Sequence, residues 1–357
     1  MSGLRRGYTT GACAQAATAA SAVWAARTEA AAAAAAVGIV TTVPREGLVE
    51  IDLPGGERAV FPYHIDEDGT AWVVKDAGDD PDVTHGLAIG ARVDDTPGFF
   101  AVRGGSGVGT VTLPGLPIAP GGPAINPVPR EAILGELLRL RPNGASVTIS
   151  APGGEVLATK TLNPRLGIVG GISILGTSGR VEPWSVEAMR DSLVPQLDVA
   201  QAQGRTDLVF VLGSKGRRLA CAAGVDERDV VETANELGWM LERAAERGFR
   251  HVLLRGHVGK LVKLAAGIFD THSRVADARL VTLAAYAGAA GVPAEEIRAI
   301  LGMTTADLAA ARLLELDRGD VLGDVASAAA RACIGRYGLP VDVVLLDRDG
   351  AVLGASS

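Results

Sequence analysis

Leu208-Val209-Phe210-Val211-Leu212-Gly213-Ser214-Lys215-Gly216-Arg217-Arg218 is the stretch on which the fold turns. An unbroken apolar run of strand length that enters a glycine turn marks a strand buried on both faces of a parallel sheet. The same texture recurs at residues 166–175 and 251–254, and residues 342–346 read as a further strand. Helical stretches follow or intervene at 184–203, 230–247, 260–268, 275–290, 294–301 and 304–316. Strands alternating with helices predict an α/β domain over residues 163–357.

Upstream, the pattern is different. Val49-Glu50-Ile51-Asp52-Leu53, Ala71-Trp72-Val73-Val74 and Ser146-Val147-Thr148-Ile149 are short β-rich runs bounded by Gly and Pro, which predicts strands. Residues 127–141 read as a helix, with Pro129 near the first turn and Ile133, Leu134, Leu137 and Leu138 on one stripe. A helix over 9–27, capped by Thr9 or Thr10, precedes them, and the alanine run 30–36 extends it or serves as a linker. Residues 1–162 are therefore expected to form an α+β domain. A chain of 357 residues, 48% hydrophobic, exceeds the size at which one core stays single.

The formal charge of −7 argues against a protein that coats nucleic acid or an anionic membrane. Cys13, Cys221 and Cys333 lie far apart in sequence and show no paired metal-ligand spacing, which argues against a zinc ribbon or a disulfide framework and fits a reducing, cytoplasmic setting. Arg5-Arg6 before an alanine-rich stretch imitates an export signal, but Thr9, Thr10, Gln15, Thr18 and Ser21 interrupt it. No window is apolar enough for a membrane span.

Ligands of open parallel sheets bind beyond the carboxyl ends of the strands, where helix N-termini present free N–H groups. Three polar loops fall there on this reading. Gly176-Thr177-Ser178-Gly179, with Glu182 beyond, combines tight backbone with hydroxyls and a carboxylate suited to ribose or a cation. Lys215, Arg217 and Arg218 reverse the sign of an acidic chain and suit an anionic ligand. Gly256-His257-Val258-Gly259-Lys260 lacks the spacing and hydroxyl of a phosphate loop. It leads to Lys263 and to Asp270-Thr271-His272-Ser273-Arg274. His251, His257 and His272 follow no common metal-ligand spacing, and none of these residues is assigned to a metal. Asp76, Asp79, Asp80 and Asp82 around Pro81 read as solvated loop carboxylates. Gly104-Gly105-Ser106-Gly107-Val108-Gly109 precedes a strand-like segment, so it is not a dinucleotide fingerprint.

Taken in order, several of these segments resemble the CbiD family of cobalt-precorrin-5B C1-methyltransferases. They are Arg6-Gly7-Tyr8-Thr9-Thr10-Gly11-Ala12-Cys13-Ala14, Ala77-Gly78-Asp79-Asp80-Pro81-Asp82-Val83-Thr84, and Gly107-Val108-Gly109 through Ala124-Ile125-Asn126-Pro127-Val128-Pro129-Arg130. Asn163-Pro164-Arg165-Leu166-Gly167-Ile168, Gly170-Gly171-Ile172-Ser173-Ile174-Leu175-Gly176-Thr177, Gly256-His257-Val258-Gly259-Lys260 and Thr271-His272-Ser273-Arg274-Val275-Ala276-Asp277 continue the match. The resemblance implies an α+β domain followed by a Rossmann-like α/β domain. It also implies transfer of a methyl group from S-adenosylmethionine to C-1 of cobalt-precorrin-5B, giving cobalt-precorrin-6A in the oxygen-independent route to cobalamin. Cobalt then enters only as part of the substrate. The alanine-rich segment after Arg27 departs from the family pattern.

On that basis the donor is expected at Gly176, Thr177, Ser178, Gly179 and Glu182. The tetrapyrrole carboxylates are expected at Lys215, Arg217, Arg218, Lys260, Lys263 and Arg274, with His257 or His272 accepting the proton that leaves the ring. Nucleic acid and membrane are not expected partners, and homo-oligomerisation stays open. Two other readings are a tetrapyrrole carrier without catalysis and a nucleotide-dependent kinase or ligase, the latter disfavoured by the missing phosphate-loop residues.

Overall fold

The computed structural model describes residues 3–357. They divide into two compact units, Met1–Ala188 and Met189–Ser357. Both are mixed α/β, as the sequence leads one to expect.

The first unit is built on a 26-residue helix, Thr10–Ala35, laid on a six-stranded sheet. Its strands run in the order Glu46–Asp52, Arg58–Ile65, Ala71–Val74, Ala88–Asp95, Ala145–Ser150 and Phe100–Gly104. Every pair is antiparallel except the last, where helix Pro127–Leu140 lies on the return path between Phe100–Gly104 and Ala145–Ser150. Alanine explains the seating of the first helix. Ala12, Ala16, Ala17 and Ala19 are buried against Ile51, Phe61, Val73, Ile89 and Val147, and their small side chains let backbone approach sheet. The polar interruptions are buried as well and find partners. Thr9 accepts the Ala12 N–H as N-cap, Gln15 donates to Asp52 O and Glu136, Thr18 to Ala14 O, and Ser21 to Gly69 O. The alanine run proves to be helix as far as Ala35, exposed beyond Arg27 for most of its length.

Residues 166–175 depart from expectation. They form no strand of the parallel sheet. Asn163–Leu166 is a 3₁₀ turn, Ile168–Val169 pairs antiparallel with Thr110–Val111, and Gly171–Ile172 pairs parallel with Gly107–Val108. Positive φ at Gly167 and Gly170 breaks the run into pieces. These pairings join residues 163–188 to the first unit, so the break between units falls after the change of sequence texture at 163.

The second unit carries a five-stranded sheet in the order Val230–Glu232, Asp207–Val211, His251–His257, Val341–Leu346 and Val352–Ala355. The first four strands are parallel and the last is antiparallel. The chain moves outward from Asp207–Val211 to Val230–Glu232 and then returns to the other side at His251–His257. This reversal is where open sheets bind ligands. Several expectations need correction here. Val230-Val231-Glu232 is an edge strand and the helix starts only at Leu237 (Leu237–Glu246); β-branched valines favour the extended form. The stretch 184–203 is two helices, Val186–Leu193 and Pro195–Ala202, because Pro195 has no N–H to continue the first. Lys215, Arg217 and Arg218 stand on a helix, Ser214–Ala222, instead of a loop. An 18-residue helix, Asp320–Tyr337, had no counterpart in the sequence reading. Among the described residues no helix is long and apolar enough to cross a membrane.

In the first unit Lys75, only 1% exposed, meets Asp82 at 2.6 Å. Burial pushes the Asp82 carboxyl up, but the Lys75 ammonium and the Thr84 donors outweigh it and leave its pKa below the ordinary value. A depressed folded-state pKa means stability that is present above the unfolded pKa and lost as pH falls through the folded one. Asp82→Ala strands a buried ammonium and is expected to cost about 3 kcal/mol in urea unfolding at neutral pH. Lys75→Met with Asp82→Ala should recover most of that loss; equal destabilisation by the single and double variants would contradict the role given to the pair.

Candidate active site

In the first unit, Gly176–Glu182 is held against the amino-terminal segment. Gly7-Tyr8 pairs antiparallel with Arg180-Val181, the Thr9 N–H donates to Gly179 O, and the Gly55 N–H donates to Ser178 O. A Cβ on Gly176, whose φ is +129°, would lie 2.4 Å from the Thr9 hydroxyl. The glycines here admit neighbouring chain. Glu182 pairs with Arg6 at 2.8 Å, Ser178 accepts the Arg180 N–H, and Thr177 remains exposed. The aspartates of the 76–82 turn are likewise committed. Asp76 pairs with Arg5, whose guanidinium holds its carboxyl down at about 2. Asp79 accepts the Arg5 N–H, Asp80 the Trp184 N–H, and Asp82 pairs with Lys75.

The remaining predicted site residues all belong to the second unit. They follow the carboxyl ends of its strands. Strand Val230–Glu232 runs into Thr233-Ala234-Asn235, where Ala234 takes a positive φ of 49°, a strained conformation for a residue with a Cβ. Strand His251–His257 runs into helix Val258–Ala265, which carries Lys260 and Lys263 one turn apart. The two lysines hold the segment 270–276. Lys263 is 2% exposed, and its ammonium donates to Thr271 O at 3.1 Å, Ala276 O at 2.8 Å and, more distantly, His272 O at 3.5 Å. Lys260 donates to Asn235 Oδ1 at 2.9 Å and Thr271 O at 3.2 Å. The buried Thr271 hydroxyl and N–H bond Asn235 as well. Burial pushes the Lys260 pKa down, and Lys263 and Arg279 add to the effect while Asp270 opposes it.

Lys263 therefore supports the segment from beneath and does not stand on a rim. Arg217 is paired with Glu227 and half-buried. Lys215, Arg218 and Arg274 are exposed, with no ion pair among the described residues.

Neither histidine is arranged as a ready base. His257 caps its helix by accepting the Gly259 N–H at Nδ1, so the neutral ring carries its proton on Nε2, which lies 2.8 Å from Asp307. His272 accepts the Arg274 N–H at Nδ1, so its Nε2 is also the protonated nitrogen of the neutral ring. Each imidazole is thus held in a form that donates from Nε2. Either one would have to release its backbone partner before accepting a proton.

Beside this cluster the structure opens a cleft of about 490 Å³ that sequence reasoning missed. Trp239, Phe269 and Tyr337 line it, with Arg336 and Asp270 and the ion pair Arg190–Glu236. The signal was faint because its members come from four segments that nothing in the sequence joins. Asn235 lay hidden inside an expected helix.

Fold and site together define a class: a mixed α/β protein that places a polar loop cluster and the exposed, unpaired Lys215, Arg218 and Arg274 beyond the carboxyl ends of a parallel sheet. Comparison with known proteins narrows it. A family described as CbiD matches residues 1–183, and one described as CbiD, C-terminal domain, matches residues 270–357. Cobalt-precorrin-5B C(1)-methyltransferase of Thermoanaerobacter sp. is 48% identical over 311 residues, covering 85% of this chain and 81% of that protein. Proteins of the same name from Moorella thermoacetica and Methanocaldococcus jannaschii are 47% and 40% identical, the latter covering 98% of this chain and 95% of its own. The 1.9 Å crystal structure of cobalamin biosynthesis protein CbiD from Archaeoglobus fulgidus is 27% identical and covers 76% of this chain and 83% of its own. Its TM-score of 0.40 is too low to bear on the fold. The chain belongs to the CbiD family.

Because the Lys263 ammonium is the shared anchor of residues 271–276, Lys263→Met is expected to speed amide hydrogen exchange there at least tenfold, a loss of about 1.4 kcal/mol of local protection. Exchange confined to the wild-type rate would remove Lys263 from that role.

Proposed function

We propose that this protein transfers the methyl group of S-adenosylmethionine to C-1 of cobalt-precorrin-5B, forming cobalt-precorrin-6A in anaerobic cobalamin synthesis. One observation carries the reading: 48% identity to a protein of that named activity, over 81% of that protein's length. We read the second unit as Rossmann-like, and place the protein in the cytoplasm, where its three free cysteines stay reduced.

The reaction is an in-line displacement. The ring carbon attacks the methyl carbon, a C–C bond forms as the C–S bond breaks, and the sulfonium leaves as the neutral thioether S-adenosylhomocysteine. The macrocycle loses a proton. The protein's task is to hold nucleophile and methyl at attack distance away from water, an arrangement that supplies about 7 to 11 kcal/mol. The substrate carries many carboxylates around a flat apolar face. Lys215, Arg218 and Arg274 are the exposed, unpaired cations on offer, whereas Arg217 is paired with Glu227 and Lys260 is bonded to Asn235 and Thr271. In the donor loop expected at Gly176–Glu182, the Glu182 carboxylate already belongs to Arg6, which leaves a donor the Thr177 hydroxyl and the backbone. The proton acceptor is His272 or His257 only after Nδ1 is freed.

Anaerobic incubation with cobalt-precorrin-5B and methyl-labelled S-adenosylmethionine should add one labelled methyl to the tetrapyrrole. A folded protein that binds the ring and leaves its mass unchanged would instead be a carrier. Replacing Lys215 and Arg218 by alanine together is expected to raise KM for the tetrapyrrole roughly tenfold while leaving donor affinity intact. Equal losses for both ligands would refute the assignment of these cations to the ring.

A further inference from the structure

The aromatic cleft of the second unit has a composition that selects its ligand. Three rings converge there: Trp239 from helix Leu237–Glu246, Phe269 from the segment before Thr271, and Tyr337 from the end of helix Asp320–Tyr337. Phe269 and Tyr337 meet edge to face, with centroids 5.3 Å apart. Gly238 lets the walls close on one another, since a Cβ there would lie 2.6 Å from the Tyr337 hydroxyl and 2.7 Å from Phe269 Cβ. The Gly238 N–H donates to Phe269 O, which ties the two walls together.

The charges in the cleft are of both signs and two of them are unspent. Arg190 is bonded to Glu236 at 2.6 Å, and Glu242 lies 3.0 Å from Arg243. Arg336 is different: its guanidinium lies over Phe269 at 5.1 Å and Tyr337 at 5.7 Å and has no carboxylate partner among the described residues. Asp270 accepts the His272 N–H at one oxygen, 2.8 Å away, and forms no ion pair among the described residues. The Trp239 indole N–H is buried without a hydrogen-bond partner, an arrangement that buried polar groups rarely tolerate without a ligand or water. A free cation, a free anion and three rings suit a zwitterionic amino acid attached to an aromatic base. A polyanionic ring would meet Asp270, Glu236 and Glu242 as repulsion.

We infer that this cleft is the donor site: Arg336 takes the carboxylate of S-adenosylmethionine, Asp270 its ammonium, and Trp239, Phe269 and Tyr337 the adenosyl group. The volume of about 490 Å³ lies within the range for cofactor-sized ligands. Asp270 is the residue before Thr271, so the donor lies beside the cluster that Lys260 and Lys263 organise. This inference rests on the methyltransferase reading above and replaces Gly176–Glu182 as the donor's place.

Calorimetry with S-adenosylmethionine and with 5′-methylthioadenosine, which keeps the base and lacks the amino acid, separates the cases. The proteins compared are wild type, Asp270→Asn, Arg336→Gln and Glu182→Gln, each with its thermal midpoint measured. Asp270→Asn and Arg336→Gln are expected to bind S-adenosylmethionine roughly tenfold more weakly, with methylthioadenosine affinity and thermal midpoint unchanged. Unchanged binding in both, with loss in Glu182→Gln, would overturn the cleft and leave the methyltransferase reading standing. Equal weakening of both ligands would also overturn it, because it would mark a purely structural role. Wild-type protein that binds no S-adenosylmethionine would sink the methyltransferase reading itself.

Discussion

A buried ammonium bonded to backbone carbonyls is the constraint on which the second unit's chemistry depends. Lys263 is removed from water almost entirely, and desolvating a charge costs far more than one neutral hydrogen bond returns. Its cost is offset only if several acceptors stay in place, and Thr271, His272 and Ala276 supply them. The segment 271–276 therefore cannot drift without exposing an unsatisfied cation. Lys260, Asn235 and Thr271 extend the same lattice to the end of strand Val230–Glu232. Phe269 and Asp270 come immediately before this anchored stretch, so their places in the aromatic cleft follow from it, as does the placing of His272 and Arg274.

The first unit spends its polar groups differently. Its glycines, hydroxyls and aspartates near residues 5–11, 76–84 and 173–182 bond one another. Gly78, at φ +68°, admits the Arg5 carbonyl at a distance no Cβ would allow. The motifs there that resemble the family most plainly thus serve packing first, while the exposed, unpaired cations Lys215, Arg218 and Arg274 and the aromatic cleft lie in the second unit.

Much of this was legible in the sequence, for a physical reason. Runs such as Leu208-Val209-Phe210-Val211 and Val343-Val344-Leu345 are apolar on both faces, and only a covered sheet accepts them. The helix Pro127–Leu140 announced itself through its proline start and leucine stripe. Residues 166–175 misled because an apolar run says nothing of the left-handed turns at Gly167 and Gly170 that break it. Helix Asp320–Tyr337 was overlooked because alanine blurs its apolar stripe, although Val321, Leu322, Val325, Ala329 and Cys333 keep helical spacing. Cationic positions could be read, but not their partners: Arg217 against Glu227, Glu182 against Arg6, and Lys263 turned inward are facts of tertiary contact. The cleft was invisible for the same reason, since Trp239, Phe269 and Tyr337 meet only once the chain is folded.

The most direct measurement is a crystal structure of the protein grown with S-adenosylhomocysteine, the thioether product of the reaction. Density for the adenosyl group among Trp239, Phe269 and Tyr337, with the amino acid end between Asp270 and Arg336, is the predicted result. Density for the same molecule against Thr177 and Glu182, with the cleft of the second unit left to solvent, would contradict the account.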